Sequence, residues 1–142
     1  MNEFIKLNNE QDYLDFQTRT NGLHDGYIIS VNHQRPVFFD NNLLCYIPES
    51  KMTLKILVSS MPGHPVVEMR FTATRDVRLH NDCLFGFSMK WGTMNHQWHP
   101  IPYVQWASEP DFDWEHHSME TDRSTTYVIA TTAEWRFAND SF

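Results

Sequence analysis

The chain has 142 residues, enough for one domain with its own core, and its composition, 41% hydrophobic and 20% charged, lies away from the sparse, highly charged range of disordered chains. Its formal charge of −7, from eleven Lys and Arg against eighteen Asp and Glu, disfavours a nucleic-acid ligand, because phosphates are bound chiefly by positive charge. An acidic surface suits a basic protein partner or a cation, or merely keeps the protein soluble, and no run of eighteen apolar residues offers a membrane span.

The opening MNEFIKLNNE lacks the basic segment and apolar run of a secretion signal, so a cytoplasmic protein is expected. Residues 8 to 19 then predict a short helix. Asn8 or Asn9 can cap it, Glu10 and Asp12 suit its positive N-terminal end, and Tyr13, Leu14 and Phe16 with Gln17 give it a modest apolar stripe. Asn21-Gly22 ends the helix, since glycine enters left-handed backbone without a Cβ clash.

Period-two patterns follow. Tyr27, Ile29 and Val31 alternate with Ile28, Ser30 and Asn32, and Met52, Leu54, Ile56 and Val58 with Thr53, Lys55 and Leu57; Val67, Met69, Phe71 and Ala73, then Val77 and Leu79, alternate with polar neighbours. Residues 36 to 39 and 43 to 47 flank the turn residues Asp40-Asn41-Asn42, and SSMPGHP at 59 to 65 reads as a loop between neighbouring strands. Phe85, Phe87 and Met89 begin a further strand ending near Trp91-Gly92. The last segment carries Tyr127, Ile129, Trp135 and Phe137 as one strand with a bulge where its inward parity changes. Between them, residues 92 to 124 show no convincing period and predict a long irregular loop. Cys45 and Cys83 both sit beside apolar residues and predict reduced, buried thiols rather than a disulfide.

For function, the pair His24-Asp25 followed by Gly26 reads as a structural corner. Adjacent strand residues point to opposite faces, and Asp25-Gly26 suits a turn in which the carboxylate accepts backbone N–H groups. No catalytic residue and no cofactor is assigned. Ser60 lacks the context of a nucleophile elbow, there is no glycine-rich phosphate loop, and no histidine is tied by sequence to a serine. Trp98, Trp106 and Trp114 with Asp111, Asp113 and Glu115 instead suggest aromatic anchors with an acidic rim, a contact face for a basic protein. The alternative is a small-ligand or metal site, with metal-assisted hydrolysis as its chemistry, drawn from His96, His99, Asp111, Asp113, His116 and His117; at least three of these would have to converge. Pro100 and Pro102 argue against a helix that would align His96 with His99.

LHDGYIISV at 23 to 31, followed by the strands MTLKILV and VVEMRFTA, resembles the start of a group of small bacterial proteins in which Phe/Leu-His-Asp introduces the first strand. Leu23, His24 and Asp25 carry the likeness, with Tyr27, Ile29 and Val31 after them, the strand order over residues 10 to 90 and Trp135 in the last strand. Some members are classed with immunity proteins of polymorphic toxin systems. The resemblance implies a non-enzymatic cytoplasmic protein that binds and blocks a cognate toxin. Both lines of reasoning predict a single α+β domain, an antiparallel or partly rolled sheet packed by a short N-terminal helix, with a long irregular loop.

Overall fold

Through residues 51–58 burial alternates without a break: Met52, Leu54, Ile56 and Val58 are fully enclosed, while Lys51, Thr53, Lys55 and Leu57 are not. The same rule organises most of the chain. The computed structural model describes residues 3–34, 37–40, 43–46, 50–74, 76–80, 83–84, 86–96, 99–110 and 125–138. In chain order these form β1 (Ile5–Lys6), α1 (Glu10–Arg19), a short 3-10 turn (Asn21–Leu23), β2 (Gly26–Gln34), β3 (Val37–Asp40), β4 (Leu43–Tyr46), β5 (Lys51–Val58) and β6 (Val66–Thr72). There follow β7 (Asp76–Arg78), β8 (Ser88–His96), β9 (His99–Ala107), β10 (Tyr127–Ala130) and β11 (Thr132–Phe137).

All the ladders are antiparallel. One sheet has the order β1-β11-β6-β5-β2 and a second the order β7-β10-β9-β8, while β3 and β4 pair only with each other among the described residues. The inward faces of the two sheets enclose one core. From the first come Met52, Leu54, Ile56, Met69, Phe71 and Trp135; from the second come Val104, Trp106, Val128 and Ala130. Phe71 and Trp106 meet across the gap with ring centroids 6.2 Å apart. The domain is thus α+β with antiparallel sheets and one short N-terminal helix, and nine of the eleven described strands divide between the two facing sheets.

The division occurs at Thr131. Its N–H donates to the carbonyls of Thr72 and Ala73 at 3.0 and 3.3 Å, which draws the chain out of the second sheet and into the first. Val128 and Ala130 face one way into the core and Ala133 and Trp135 the other. The parity change expected from a bulge is a change of sheet. A true irregularity lies instead in β2, where the register against β5 shifts between Ile28 and Ser30.

Helix α1 closes one side of this sandwich. The Asn9 side chain accepts the Asp12 backbone N–H at 2.9 Å, and the Asp12 carboxylate accepts that of Asn8 at 2.9 Å, so each end of the first turn satisfies the other. Ten residues are too few to hold a helix in water without tertiary packing. Phe16 supplies that packing, stacked on Trp135 at 4.7 Å and tilted against Phe87 at 4.9 Å. The Tyr13 hydroxyl donates to the Phe87 carbonyl at 2.9 Å and the Trp91 indole to that of Leu7 at 3.0 Å. Leu14 faces solvent. No helix among the described residues is long and apolar enough to cross a membrane.

The outer face of the larger sheet is charged. Arg70 pairs with Glu134 and Arg136 with Glu68, matching the cross-strand register, and both guanidinium groups lie over the Phe4 ring, 4.0 and 4.1 Å from its centroid.

Candidate functional site

The chain enters β2 through unusually strained backbone. Asn21, Gly22, Leu23 and Asp25 have φ of 53°, 63°, 53° and 55°, a left-handed region that only glycine visits freely and that Asn and Asp tolerate better than most. For Leu23 this conformation costs about 1–2 kcal/mol, which complete burial of its side chain, at about 1.5–3 kcal/mol, offsets. Hydrogen bonds fix the rest. The Asp25 N–H donates to the Leu84 carbonyl at 2.9 Å, and the Leu84 N–H returns to Gly26 at 2.8 Å. From the loop after β5, the Ser60 and Ser59 hydroxyls donate to the carbonyls of His24 and Asp25, each at 2.6 Å. Asn21 donates in turn to the Ser60 hydroxyl at 3.0 Å.

Because Asp25 is left-handed rather than extended, its side chain does not diverge from that of His24 as strand geometry would require. His24 Nδ1 and Asp25 Oδ2 lie 3.1 Å apart, about half exposed. The expected turn in which the carboxylate accepts backbone N–H groups is replaced by this pair and by a contact from the Cys83 thiol to Asp25 Oδ1 at 3.9 Å. Cys83 is a free, half-buried thiol; the side chain of Cys45 lies outside the described residues. The Tyr27 phenol is held above its ordinary value of 10.0, first by its hydrogen bond with Cys83, then by the charge of that thiol, by burial and by Asp25. Among the described residues no imidazole bonds to the thiol, the pairing that activates a cysteine nucleophile. The geometry holds a backbone in place. Asp25→Gly is expected to leave stability within about 1 kcal/mol of the parent, a lost exposed pair balanced by released strain, whereas Asp25→Val costs about 1–2 kcal/mol. Thermal unfolding of the two variants checks this.

Beyond the corner, β2 is an edge. It pairs with β5 on one side, and on the other only Gly26 is bridged, to Leu84, among the described residues. Exposure runs from Ile29 to Gln34. Five large apolar side chains are exposed among the described residues, Leu14, Tyr27, Ile29, Val31 and Leu79, and three of them lie on this strand. From Gly26 to Gln34 it carries no Asp, Glu, Lys or Arg, although charges and prolines are the usual protection of an open edge. The bulge sets Tyr27 opposite Leu57 and Val31 opposite Leu54, so the two side chains stand on opposite faces of the sheet. His33 hydrogen-bonds with the Thr74 hydroxyl at 3.1 Å, and Thr74 with Ser50 at 3.1 Å, which ties the far end of the strand to the body.

The contact face expected around residues 92 to 122 changes in two respects. Residues 92–96 and 99–107 are strand rather than loop. The period was hidden because Pro100 and Pro102 share one side of β9, and in that stretch, among the described residues, β9 pairs only with β8; the missing N–H groups fall on the side away from β8. Trp106 is no surface anchor. It is fully buried on the inward face of β9, between Phe71 and Phe87 at 6.2 and 6.5 Å, as the alternation from Val104 dictates. Trp98, Asp111, Asp113, Trp114 and Glu115 lie outside the described residues. Of the alternative metal set, His96 and His99 are the closing pair of the β8–β9 hairpin, and Asp111, Asp113, His116 and His117 lie outside the described residues. Among the described residues no three His, Cys, Asp or Glu side chains gather to hold a metal. An open hollow of about 360 Å³, lined by Thr93, Tyr103, Gln105 and Ile129, offers no carboxylate, imidazole or thiol for catalysis among those residues.

The open strand was readable as a charge-free run of nine residues between Asp25 and Arg35. Ser59 and Ser60 carried no such signal, since their role depends on a contact between segments more than thirty positions apart. In comparisons with known proteins, no family model, no curated protein and no solved structure matches this chain.

Proposed function

We propose that this protein is a non-enzymatic binding domain of the immunity type, which holds a cognate toxin or comparable protein in a one-to-one complex and blocks it by covering its working surface. The observation that carries this reading is the concentration of exposed apolar side chains, Tyr27, Ile29 and Val31, on one uncharged edge strand. Solvent-exposed apolar groups gathered in one place mark contact surfaces, whereas isolated ones need no explanation. The rigid corner fixes the start of that strand, and the likeness of LHDGYIISV to immunity proteins points the same way. The formal charge of −7 favours a basic partner and speeds its approach. In this reading the protein acts in the bacterial cytoplasm and no bond is made or broken by its residues.

The test is co-expression with the product of each adjacent gene. One product is expected to co-purify in equal amount and to lose its toxicity. Ile29→Lys, which places a charge on the exposed strand, is expected to weaken that complex at least tenfold while leaving thermal unfolding unchanged. Absence of binding and of protection for every neighbour overturns the proposal.

A further inference from the structure

We infer that the partner is received as an added strand along the side of β2 that faces away from β5, an inference that rests on the protein-binding reading above and specifies its geometry. Gly26 directs its carbonyl away from β5, to the Leu84 N–H at 2.8 Å. In an antiparallel ladder successive residues alternate sides, so the backbone groups of Ile28, and past the bulge those of Val31 and His33, also point away from β5. No described residue pairs with these donors and acceptors, and they form a row that an extended polypeptide matches.

The occupant is a segment of another protein rather than a second copy. Two copies paired about a twofold axis at Asn32 would engage only Val31 and His33 of each, because the next position meets the bulge, and each copy brings a formal charge of −7. A foreign strand is not bound by that symmetry: it pairs with Val31 and His33 and, with a matching irregularity opposite the bulge, continues to Ile28. Its chemistry is set by what flanks it. Tyr27 and Val31 stand on opposite faces of the sheet, so the segment is a short continuous apolar run, rich in β-branched or aromatic residues, rather than an alternating one. The half-exposed Asp25 carboxylate at the start of β2 selects a basic residue at that end of the segment.

Selection of a displayed library of random peptides of about twelve residues against the immobilised full chain tests this. Enriched peptides are expected to carry an apolar run with Lys or Arg at one end, and to slow amide exchange at Val31 and His33 by at least tenfold. Val31→Pro removes an outward N–H that β5 does not use, a position where an edge strand accepts proline; it is expected to abolish peptide binding with the unfolding midpoint unchanged. The exchange pattern of the unaltered chain decides the matter even where that variant fails to fold. Failure to enrich such peptides, protection at other strands, or dimerisation through β2 overturns the inference. If a neighbouring gene product binds Val31→Pro as it binds the parent, strand addition is wrong and protein binding stands. If the peptides bind and no gene product does, strand addition stands and the immunity reading falls.

Discussion

Replacing Trp135 by alanine is expected to lower the unfolding free energy by about 3–5 kcal/mol, a large share of the roughly 5–15 kcal/mol that holds a domain of this kind together. The ring is fully buried in β11, paired in register with Met69 on one side and Ile5 on the other. Phe16 stacks on it at 4.7 Å, Phe137 meets it edge-on at 5.3 Å, and the Arg19 guanidinium lies 4.9 Å from its centroid. Alanine removes the transfer free energy of the indole and leaves a void that paired backbone on both sides cannot collapse to fill. The loss has a distinctive distribution. Phe16 is the only fully buried residue of α1, so the helix loses its principal anchor while the ladders of β5 and β6 persist. Urea unfolding followed by circular dichroism, with amide exchange read separately in α1 and in β5, measures both effects. Leu14→Ala, on the exposed face of the same helix, is the control and is expected to stay within about 0.5 kcal/mol. A Trp135→Ala protein that loses less than 1 kcal/mol contradicts this account of the core.

Gly26→Ala is expected to cost about 2–4 kcal/mol, although it adds one methyl group. That methyl would lie 2.8 Å from the Leu23 carbonyl oxygen, 3.0 Å from a methyl of Ile56 and 3.3 Å from one of Leu84. The first of these decides the outcome, because it is backbone and is already held in the left-handed turn by the hydrogen bond from the Leu23 N–H to Thr20 at 3.1 Å. To make room, β2 must draw away from the turn, and the two hydrogen bonds that tie Asp25 and Gly26 to Leu84 are lost or lengthened. The damage should therefore appear first at Leu84 and Cys83, far along the chain, and in a fall of the Tyr27 titration toward its ordinary value as its bond with Cys83 loosens. Denaturant unfolding gives the energy and tyrosine absorbance against pH gives the second effect, with Tyr27→Phe to isolate the signal. Stability within 0.5 kcal/mol of the parent would show that the corner yields more easily than its hydrogen bonds indicate.

These two sites also mark what the sequence could and could not disclose. The capped helix and the strands β5 and β6 were legible because one side of each is buried and the other solvated, which writes a period directly into residue order. Trp106 was misplaced because its size suited an anchor; only the parity from Val104 to Trp106, taken with a pairing partner on each side, shows that it points inward. The strands of the β8–β9 hairpin were obscured by Pro100 and Pro102, residues that are excluded from a fully paired strand but fit one with an open side. The change of sheet at Thr131 leaves no mark in composition, since it is made by backbone hydrogen bonds to Thr72 and Ala73. At the corner, residue types foretold a rigid turn, yet the meeting of His24 with Asp25 follows from a dihedral angle at Asp25 and not from the pair itself.

The clasp of Phe4 by Arg70 and Arg136 has a practical corollary. It secures the opening residues beside β1, at the margin of the larger sheet farthest from β2, four strand spacings or roughly 19 Å away. A fluorophore or a linker to a sensor chip attached ahead of Phe4 would leave the opposite margin unobstructed, so that immobilised protein presents Tyr27, Ile29 and Val31 to whatever flows past.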